Sequence, residues 1–405
     1  MKRILYLHHG GGLGGAPLSL LYLLQKIDRS HYEPIVITLK SGPVVDLYRA
    51  EGIETFVEPG ISDFSHTNLE WYGGREWWRL PGKLINVLPS IRKTRNLVRR
   101  FKPDLVHLNS STLGPSAIGC AQEGIPILWH IREPLAKGYF GIRRAVLRHM
   151  INKIAARVIA ISQYDADQLA PSKRIRVIYN FVDFAKFDRS LEGDTVRADL
   201  KIPSDAPIVL MLGGVAEPKG TLELVLTVPE LLDRTPNVRI VIAGPPLQSH
   251  FQGGLKGLAK HILRTDVYQQ AVRKAVDKCN NVAQAVIFTG IQQDIPKLIA
   301  ASNVLVFPSV VPHFARPIIE AAAMGIPAVA SDLGGPRELI VDGETGFLVP
   351  PRNPQVLADR LVDLLCDPIK AQRMGEAAYQ RAQILFDGDR NATATIAVYE
   401  EILVN

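Results

Sequence analysis

Residues 307–349 read FPSVVPHFARPIIEAAAMGIPAVASDLGGPRELIVDGETGFLV. The apolar run NVLVFPS leading into this stretch and the IPAVAS inside it read as two buried strands. RPIIEAAAM between them reads as a proline-opened helix carrying a carboxylate, Glu320. Strand, helix, strand is the crossover unit of a parallel sheet. A Gly-Gly turn, Gly334-Gly335, then opens a further helix, so glycine backbone, a helix N-terminus and an acid stand close together. That is the layout of a phosphate and ribose cradle, because helix N-termini attract anions and a carboxylate accepts from two vicinal hydroxyls.

The same alternation extends outward in both directions. ILYL, a glycine turn, LSLLYLLQKI and PIVITL begin one series that continues with DLVHL, IPILWH and RVIAIS. PIVLML (207–212) begins a second, followed by VRIVIAG, AVIFTG, NVLVFPS and IPAVAS. Apolar strands separated by amphipathic helical stretches imply parallel sheets covered on both faces. A chain of 405 residues fits two domains of roughly 150–200 residues better than one core. The expected class is α/β, with two Rossmann-like doubly wound domains facing a central cleft. Residues 1–185 form the N-terminal domain, completed by a C-terminal helix in 388–405, and residues 186–387 form the C-terminal domain. Asn180 to Pro207, rich in charge and poor in periodicity, suits a linker or hinge, and an amphipathic helix is expected over Ala392 to Leu403.

Composition narrows the classes. No apolar run approaches the roughly eighteen residues needed to cross a bilayer. MKRILYLHHGGG has too short an apolar run for a secretory leader. Cys120, Cys279 and Cys366 are widely spaced, with no CxxC, which points to a reducing, cytoplasmic compartment and no structural zinc. The net charge of +7 is concentrated: residues 71–102 hold nine Lys or Arg against Glu76, and residues 137–157 hold six with no acid. Trp71, Tyr72, Trp77 and Trp78 stand beside Arg75, Arg79 and Lys83, and Leu84, Leu88, Ile91, Val98 and Phe101 follow at helical spacing. In the second segment Val146, Leu147, Met150, Ile151 and Ile154 share one face, with Arg144, Arg148 and Lys153 toward the other. Two readings stand: solvated faces over core stripes, or a basic amphipathic surface for peripheral attachment to an anionic membrane. Nucleic acid is disfavoured, since no nucleic-acid motif accompanies the charge.

Each half opens with a glycine-rich turn after its first strand, HHGGGLGGAP (8–17) and LGGVAEPKG (212–220). Such a turn serves either a close backbone approach to a ligand or an ordinary change of direction. Lys219 at a helix start opposes the helix dipole unless an anion is near, and a diphosphate is the candidate. Glu320 is either a paired structural acid or the acceptor for a ribose. Arg316, at the start of the same helix, is either a phosphate partner or a Glu-paired or solvent-facing arginine.

Taken together these motifs resemble the C-terminal signature of the retaining glycosyltransferases of family 4, which have the GT-B fold. That pattern runs acid, Gly or Pro, Phe, Gly, four residues, Glu, Ala, then Gly-x-Pro-Val-Val-Ala, then Gly-Gly-x-x-Glu. GGAP near the N-terminus, WHIRE (129–133), RVIAISQYDADQL (157–169), RIRVIYNFVD (174–183) and PKG (218–220) follow in family order. The resemblance implies that Lys219 contacts the donor diphosphate and Glu320 the nucleotide ribose. Gly334, Gly335 and Glu338 would surround the phosphates and sugar, Gly14 and Gly15 would face the diphosphate, and His130 would lie near the donor sugar and acceptor, although Ile131 replaces the usual acidic neighbour. Gly214 lies in the second glycine turn of the donor site, at a position where the family usually has arginine. Pro312 stands where the first acid of the paired-glutamate motif belongs, and Arg316, with His313 beside it, is the candidate to compensate.

The implied reaction moves a sugar from a nucleoside-diphosphate sugar to a glycan or lipid-linked acceptor in polysaccharide biosynthesis. It is retaining and needs neither metal nor cofactor. Lys219, His130 and Arg316 are the expected catalytic residues. The alternative class is a degenerate relative that binds nucleotide or glycan, or supports a partner transferase, without turnover.

Overall fold

The computed structural model describes residues 1–63, 80–135, 137–245, 247, 267–278 and 280–404. Trp71, Tyr72, Arg75, Glu76, Trp77, Trp78, Arg79 and Cys279, named above, lie outside the described residues. The chain divides into two compact units, Met1–Phe181 with Gly388–Asn405, and Val182–Asp387. The first crossing thus falls at 181/182, a little before the expected 185. There the Val182 amide donates to the carbonyl of Phe386, so the outgoing and returning chains are tied side by side.

The first unit is built on a seven-stranded sheet in the order β3-β2-β1-β4-β5-β6-β7. Its strands are β1 (Lys2–His8), β2 (Tyr32–Thr38), β3 (Glu54–Val57), β4 (Leu105–Leu108), β5 (Ile127–Ile131), β6 (Arg157–Ala160) and β7 (Ile175–Val177). Every neighbouring pair is parallel. Ile4 to Leu7, Leu105 to Leu108 and Ile127 to Ile131 are buried throughout, which explains why these strands read as continuous apolar runs. Each fully buried aliphatic or aromatic side chain contributes about 1.5–3 kcal/mol of transfer free energy. The closing helix Gly388–Leu403 packs on helix Gly15–Lys26 and places Tyr399 in the core; it starts one turn before the expected Ala392.

The second unit holds a six-stranded parallel sheet in the order β10-β9-β8-β11-β12-β13. The strands are β8 (Ile208–Leu212), β9 (Arg239–Ala243), β10 (Val286–Gly290), β11 (Val304–Phe307), β12 (Ala328–Ser331) and β13 (Gly346–Val349). Local chemistry sets the helix starts. Asn353 and Asp367 each accept from the backbone N–H three residues on, with Pro354 and Pro368 at the first helical position.

The expected linker proves to be packed structure. Phe187, Ile202 and Ala206 are buried, a short helix spans Asp194–Asp199, and Arg197 donates to the carbonyls of Ala206 and Ala301. Charge in this stretch marks a surface layer bonded to the second unit, not a free tether.

Both sheets are doubly wound, so the chain reverses its winding between β1 and β4 in one and between β8 and β11 in the other. Ligands of open α/β sheets bind outside the carboxyl ends of the strands at that reversal.

Candidate functional site

In the second unit, the turn Glu217–Lys219 follows β8 and runs through Gly220 into helix Thr221–Arg234. The Pro218 carbonyl accepts from Ser309 Oγ (2.7 Å) and from the Val310 N–H (3.2 Å), which ties the loop after β8 to the loop after β11. Lys219 is held between them. Its stem lies across Gly213, and its Nζ is 5.3 Å from the centroid of the Phe307 ring. Among the described residues no carboxylate or carbonyl meets this half-buried ammonium, and burial lowers its pKa. A desolvated cation facing only a ring is an unfinished arrangement that an anion would complete.

Helix Arg316–Ala323 begins after β11, with Ala315 at its N-cap in the left-handed conformation (φ 62°, ψ 58°). Arg316 Nε donates to Glu320 Oε1 at 2.7 Å, and both side chains are buried. Of the readings left open for Arg316, its Nε takes the Glu-paired one. Burial raises the Glu320 pKa, outweighing the attraction of Arg316.

Gly334 and Gly335 lie against the segment that contains Pro312. A Cβ on Gly334 would stand 2.8 Å from Pro312 Cβ, and one on Gly335 2.6 Å from the His313 carbonyl oxygen. The Gly335 N–H donates to that carbonyl at 3.1 Å, so it is spent inside the protein and is not a phosphate donor. Glu338 follows on the short helix Pro336–Leu339, half-buried.

Gly214 needs a further correction. Its N–H donates to the Ala243 carbonyl at 2.9 Å, its φ is +68°, and a Cβ there would lie 2.5 Å from the Pro245 nitrogen. The expected backbone contact to a donor is therefore not available from this N–H. An arginine is excluded as well, because the Gly244-Pro245 turn fills the space and the conformation is one that side chains avoid.

In the first unit, Gly14 is the N-cap of helix Gly15–Lys26. Both glycines are exposed, no side chain caps the turn, and no acid lies in it. The orphan amides and the positive end of the helix dipole are thus presented outward. Deeper lies a polar cluster at the carboxyl ends of β1, β4 and β5. His8 Nδ1 is 3.1 Å from Asn109 Nδ2. Arg132 donates to Asn109 Oδ1 (2.8 Å) and Asn180 Oδ1 (2.6 Å). Glu133 Oε1 accepts from the Ser111 N–H and the hydroxyls of Ser110 and Ser111. His130, one residue before the end of β5, has its Nδ1 3.2 Å from His107 Nε2, whereas its own Nε2 has no hydrogen-bond partner among the described residues. Burial, then Arg132, pushes the pKa values of His107 and His130 well below the usual histidine range; for His8 the order is burial, His9 and Arg132. In each case the shift favours the neutral imidazole.

Sequence reasoning passed over His8, His107, Asn109, Arg132, Glu133 and Tyr399. The available signal was polar residues directly after apolar strands, in DLVHLNSS and WHIRE. Among the described residues no three His, Cys, Asp or Glu side chains are arranged to hold a metal.

Known proteins place this geometry. Residues 13–186 match the family model for Glycosyltransferase Family 4, and residues 193–381 that for Glycosyl transferases group 1. A D-inositol 3-phosphate glycosyltransferase of Streptomyces avermitilis is 32% identical over 96% of this chain and 83% of its own length. Spore coat protein SA of Bacillus subtilis is 26% identical over 75% of this chain and 80% of its own. Among solved structures, Anabaena HepE in complex with UDP and glucose superposes with a TM-score of 0.78 at 22% identity, covering 99% of this chain and all of that one.

Proposed function

Because the chain belongs to glycosyltransferase family 4 and has the GT-B fold, we propose that it transfers a sugar, with retention, from a nucleoside-diphosphate sugar to a glycan or lipid-linked acceptor. The observation that carries this reading is Lys219, a half-buried cation at the β8/β11 reversal that meets no anion among the described residues. A donor diphosphate supplies that anion. As the bond to the sugar breaks, charge grows on the leaving phosphate, and a fixed ammonium stabilises it more than it stabilises the ground state. Glu320, held by Arg316, receives the ribose hydroxyls. The uncapped amides at Gly14 and Gly15 are open to an anion, and Glu338 stands beside the sugar. The leaving diphosphate then takes the acceptor proton on the face it has just left. On this reading no metal step is needed, because Lys219 carries the charge.

A second reading is favoured by Pro312, with no carboxylate where the sugar would be held, and by the closure of Gly214 to arginine. On that reading the protein binds nucleotide or glycan without turnover. Calorimetry with a panel of nucleoside diphosphates, UDP first because HepE holds it, followed by donor hydrolysis and transfer assays, separates the two. Micromolar binding with turnover is expected; binding without hydrolysis or transfer supports the degenerate reading.

Acceptor presentation at an anionic membrane surface is part of the proposal. Leu84, Ile85 and Leu88 before and within helix Val87–Phe101, and Phe140, Ile142 and Val146 at the start of helix Ile142–Ile154, are each more than half exposed. Val146 therefore leaves the expected core stripe, and Arg143 takes a buried place instead. In a parallel sheet, crossover helices run against the strands, so both helix starts lie at the carboxyl edge, where His130 also lies, one residue before the end of β5. Several cations of these segments are neutralised locally, Lys83 by Asp63, Lys93 by Glu58, and Arg95 and Arg99 by Glu123. The apolar side chains are thus the stronger part of the surface. Co-sedimentation with anionic vesicles at low salt is expected, and reduced by L84S/I85S/L88S; no sedimentation of the unaltered protein would remove the membrane from the proposal. Among the described residues no helix is long and apolar enough to cross a bilayer.

A further inference from the structure

We propose that Tyr268 is a positioning residue for Lys219: its hydroxyl caps the helix that follows the Lys219 turn, and so fixes the ammonium where a donor diphosphate meets it. The proposal rests on the reading that Lys219 receives that diphosphate, and all of its parts lie within the second unit.

Helix Val267–Asp277 carries Tyr268, Val272 and Val276 four residues apart, on one face. Val272 and Val276 are buried, and the half-buried Tyr268 ring packs against the same core. Its hydroxyl thereby reaches the start of helix Thr221–Arg234, where it accepts from the Leu222 N–H at 2.8 Å. The N-cap residue of that helix is Gly220, which has no side chain to offer, and the amides of a first helical turn have no partner inside the helix. The tyrosine is thus a cap supplied by another helix. Burial pushes its hydroxyl up to about 12, so the cap is a neutral phenol at neutral pH.

Lys219 stands between this cap and a second tie. One residue before it, the Pro218 carbonyl is held by Ser309 Oγ and the Val310 N–H. One residue after it, Gly220 (φ +73°) lies against the Pro308 carbonyl with no room for a Cβ. Thr221 Oγ1 closes the turn from inside, accepting from the Ala216 N–H (3.2 Å) and donating to the Gly214 carbonyl (3.0 Å). All of these bonds hold backbone. The Lys219 ammonium itself has no hydrogen bond or ion pair among the described residues, only the Phe307 ring with its centroid 5.3 Å away. Where the charge stands is therefore decided by the turn beneath it. A helix start released at Leu222 lets that turn shift, and displacements on the order of 1 Å are enough to impair a preorganised contact.

The test is a double-variant cycle on the full chain, read by calorimetry with UDP as the probe and UMP, which lacks the outer phosphate, as the control. UDP carries on that phosphate the charge that a donor acquires only as its bond to the sugar breaks, so its affinity reports the Lys219 contact directly. Y268F keeps the ring on its core and removes only the hydroxyl. It is expected to weaken UDP about fivefold and UMP less than about twofold. K219A is expected to weaken UDP about tenfold, and adding Y268F to K219A to change UDP affinity by less than about twofold. The kinetic counterpart is a pH profile: the limb of kcat/KM set by Lys219 should move up toward the ordinary lysine value in Y268F, because a looser turn admits water to the ammonium. Equal losses of UDP and UMP, the same loss of UDP in both backgrounds, or no loss at all would make Tyr268 a residue of the fold alone and overturn the proposal. UDP affinity untouched by K219A, or no binding of UDP or of any other nucleoside diphosphate in the panel, would instead overturn the reading of Lys219 and the positioning role with it.

Discussion

Lys219→Ala is expected to lower donor turnover about a hundredfold, close to 2.7 kcal/mol of transition-state stabilisation, while leaving the melting temperature unchanged or higher. The two halves of this expectation have one cause. Lys219 has no ion pair or hydrogen bond with the described residues, and its ammonium is partly desolvated over Phe307. Without ligand the charge is a cost to the fold, so its removal does not weaken the second unit. With a diphosphate in place the same charge meets the oxygen on which negative charge develops, and losing it acts on kcat more than on donor KM. The lowered pKa adds a pH signature. Because that shift belongs to the ligand-free protein, kcat/KM for the donor should decline as pH rises through a value below the ordinary lysine range, and this limb should be absent from the residual activity of K219A. Steady-state kinetics with the best donor of the calorimetric panel, alongside thermal unfolding of both proteins, measures this. Equal turnover, or a marked loss of stability with proportionate loss of activity, would make Lys219 a structural residue.

The strands were legible because parallel sheets bury both faces, and ILYL, DLVHL, PIVLML and NVLVF carry that burial in their composition. Lys219 and Glu320 were legible because charged residues beside apolar runs at strand ends need a reason. The glycines were read less well, and the reason is physical. A glycine signals that something comes close without saying what, and at Gly214 and Gly335 what comes close is the protein's own backbone, at Pro245 and His313. Helix Ile142–Ile154 shows a limit of phase: Val146 and Leu147 are neighbours in sequence, and only the packing against helix Gly114–Gln122 decides that Leu147 turns inward and Val146 outward. The hydrogen-bonded group of Tyr6, His107 and Tyr399 was beyond pattern reading, since Tyr6 and Tyr399 are 393 residues apart and meet only because the closing helix returns to the first unit.

Glu320→Ala is expected to cost the second unit about 3–5 kcal/mol of stability and to abolish measurable nucleotide binding. The stability loss follows from what remains: Arg316, buried at the first turn of a helix whose dipole already opposes it, without the carboxylate 2.7 Å away. The double variant R316M/E320L removes both charges at similar volume. It is expected to recover most of the stability, since a buried ion pair offsets little more than its own desolvation, but none of the binding. That contrast separates the structural part of Glu320 from its ribose contact, and recovery of binding in the double variant would deny the contact. The pair also predicts a pH dependence of definite sign. Burial holds the Glu320 pKa above the ordinary glutamate value despite Arg316. Between the unfolded and folded pKa values the folded state therefore binds more protons than the unfolded one, and stability falls as pH rises through that window, levelling above the folded pKa. Glu320→Gln removes the titration, so the stability of the unaltered protein minus that of E320Q should decrease from acidic to neutral pH. Hydrogen exchange in helix Arg316–Ala323 across that range reads the difference locally. A difference that instead rises with pH would mean that Arg316 outweighs burial, and that the carboxylate is locked in an ion pair which a ribose must break rather than join.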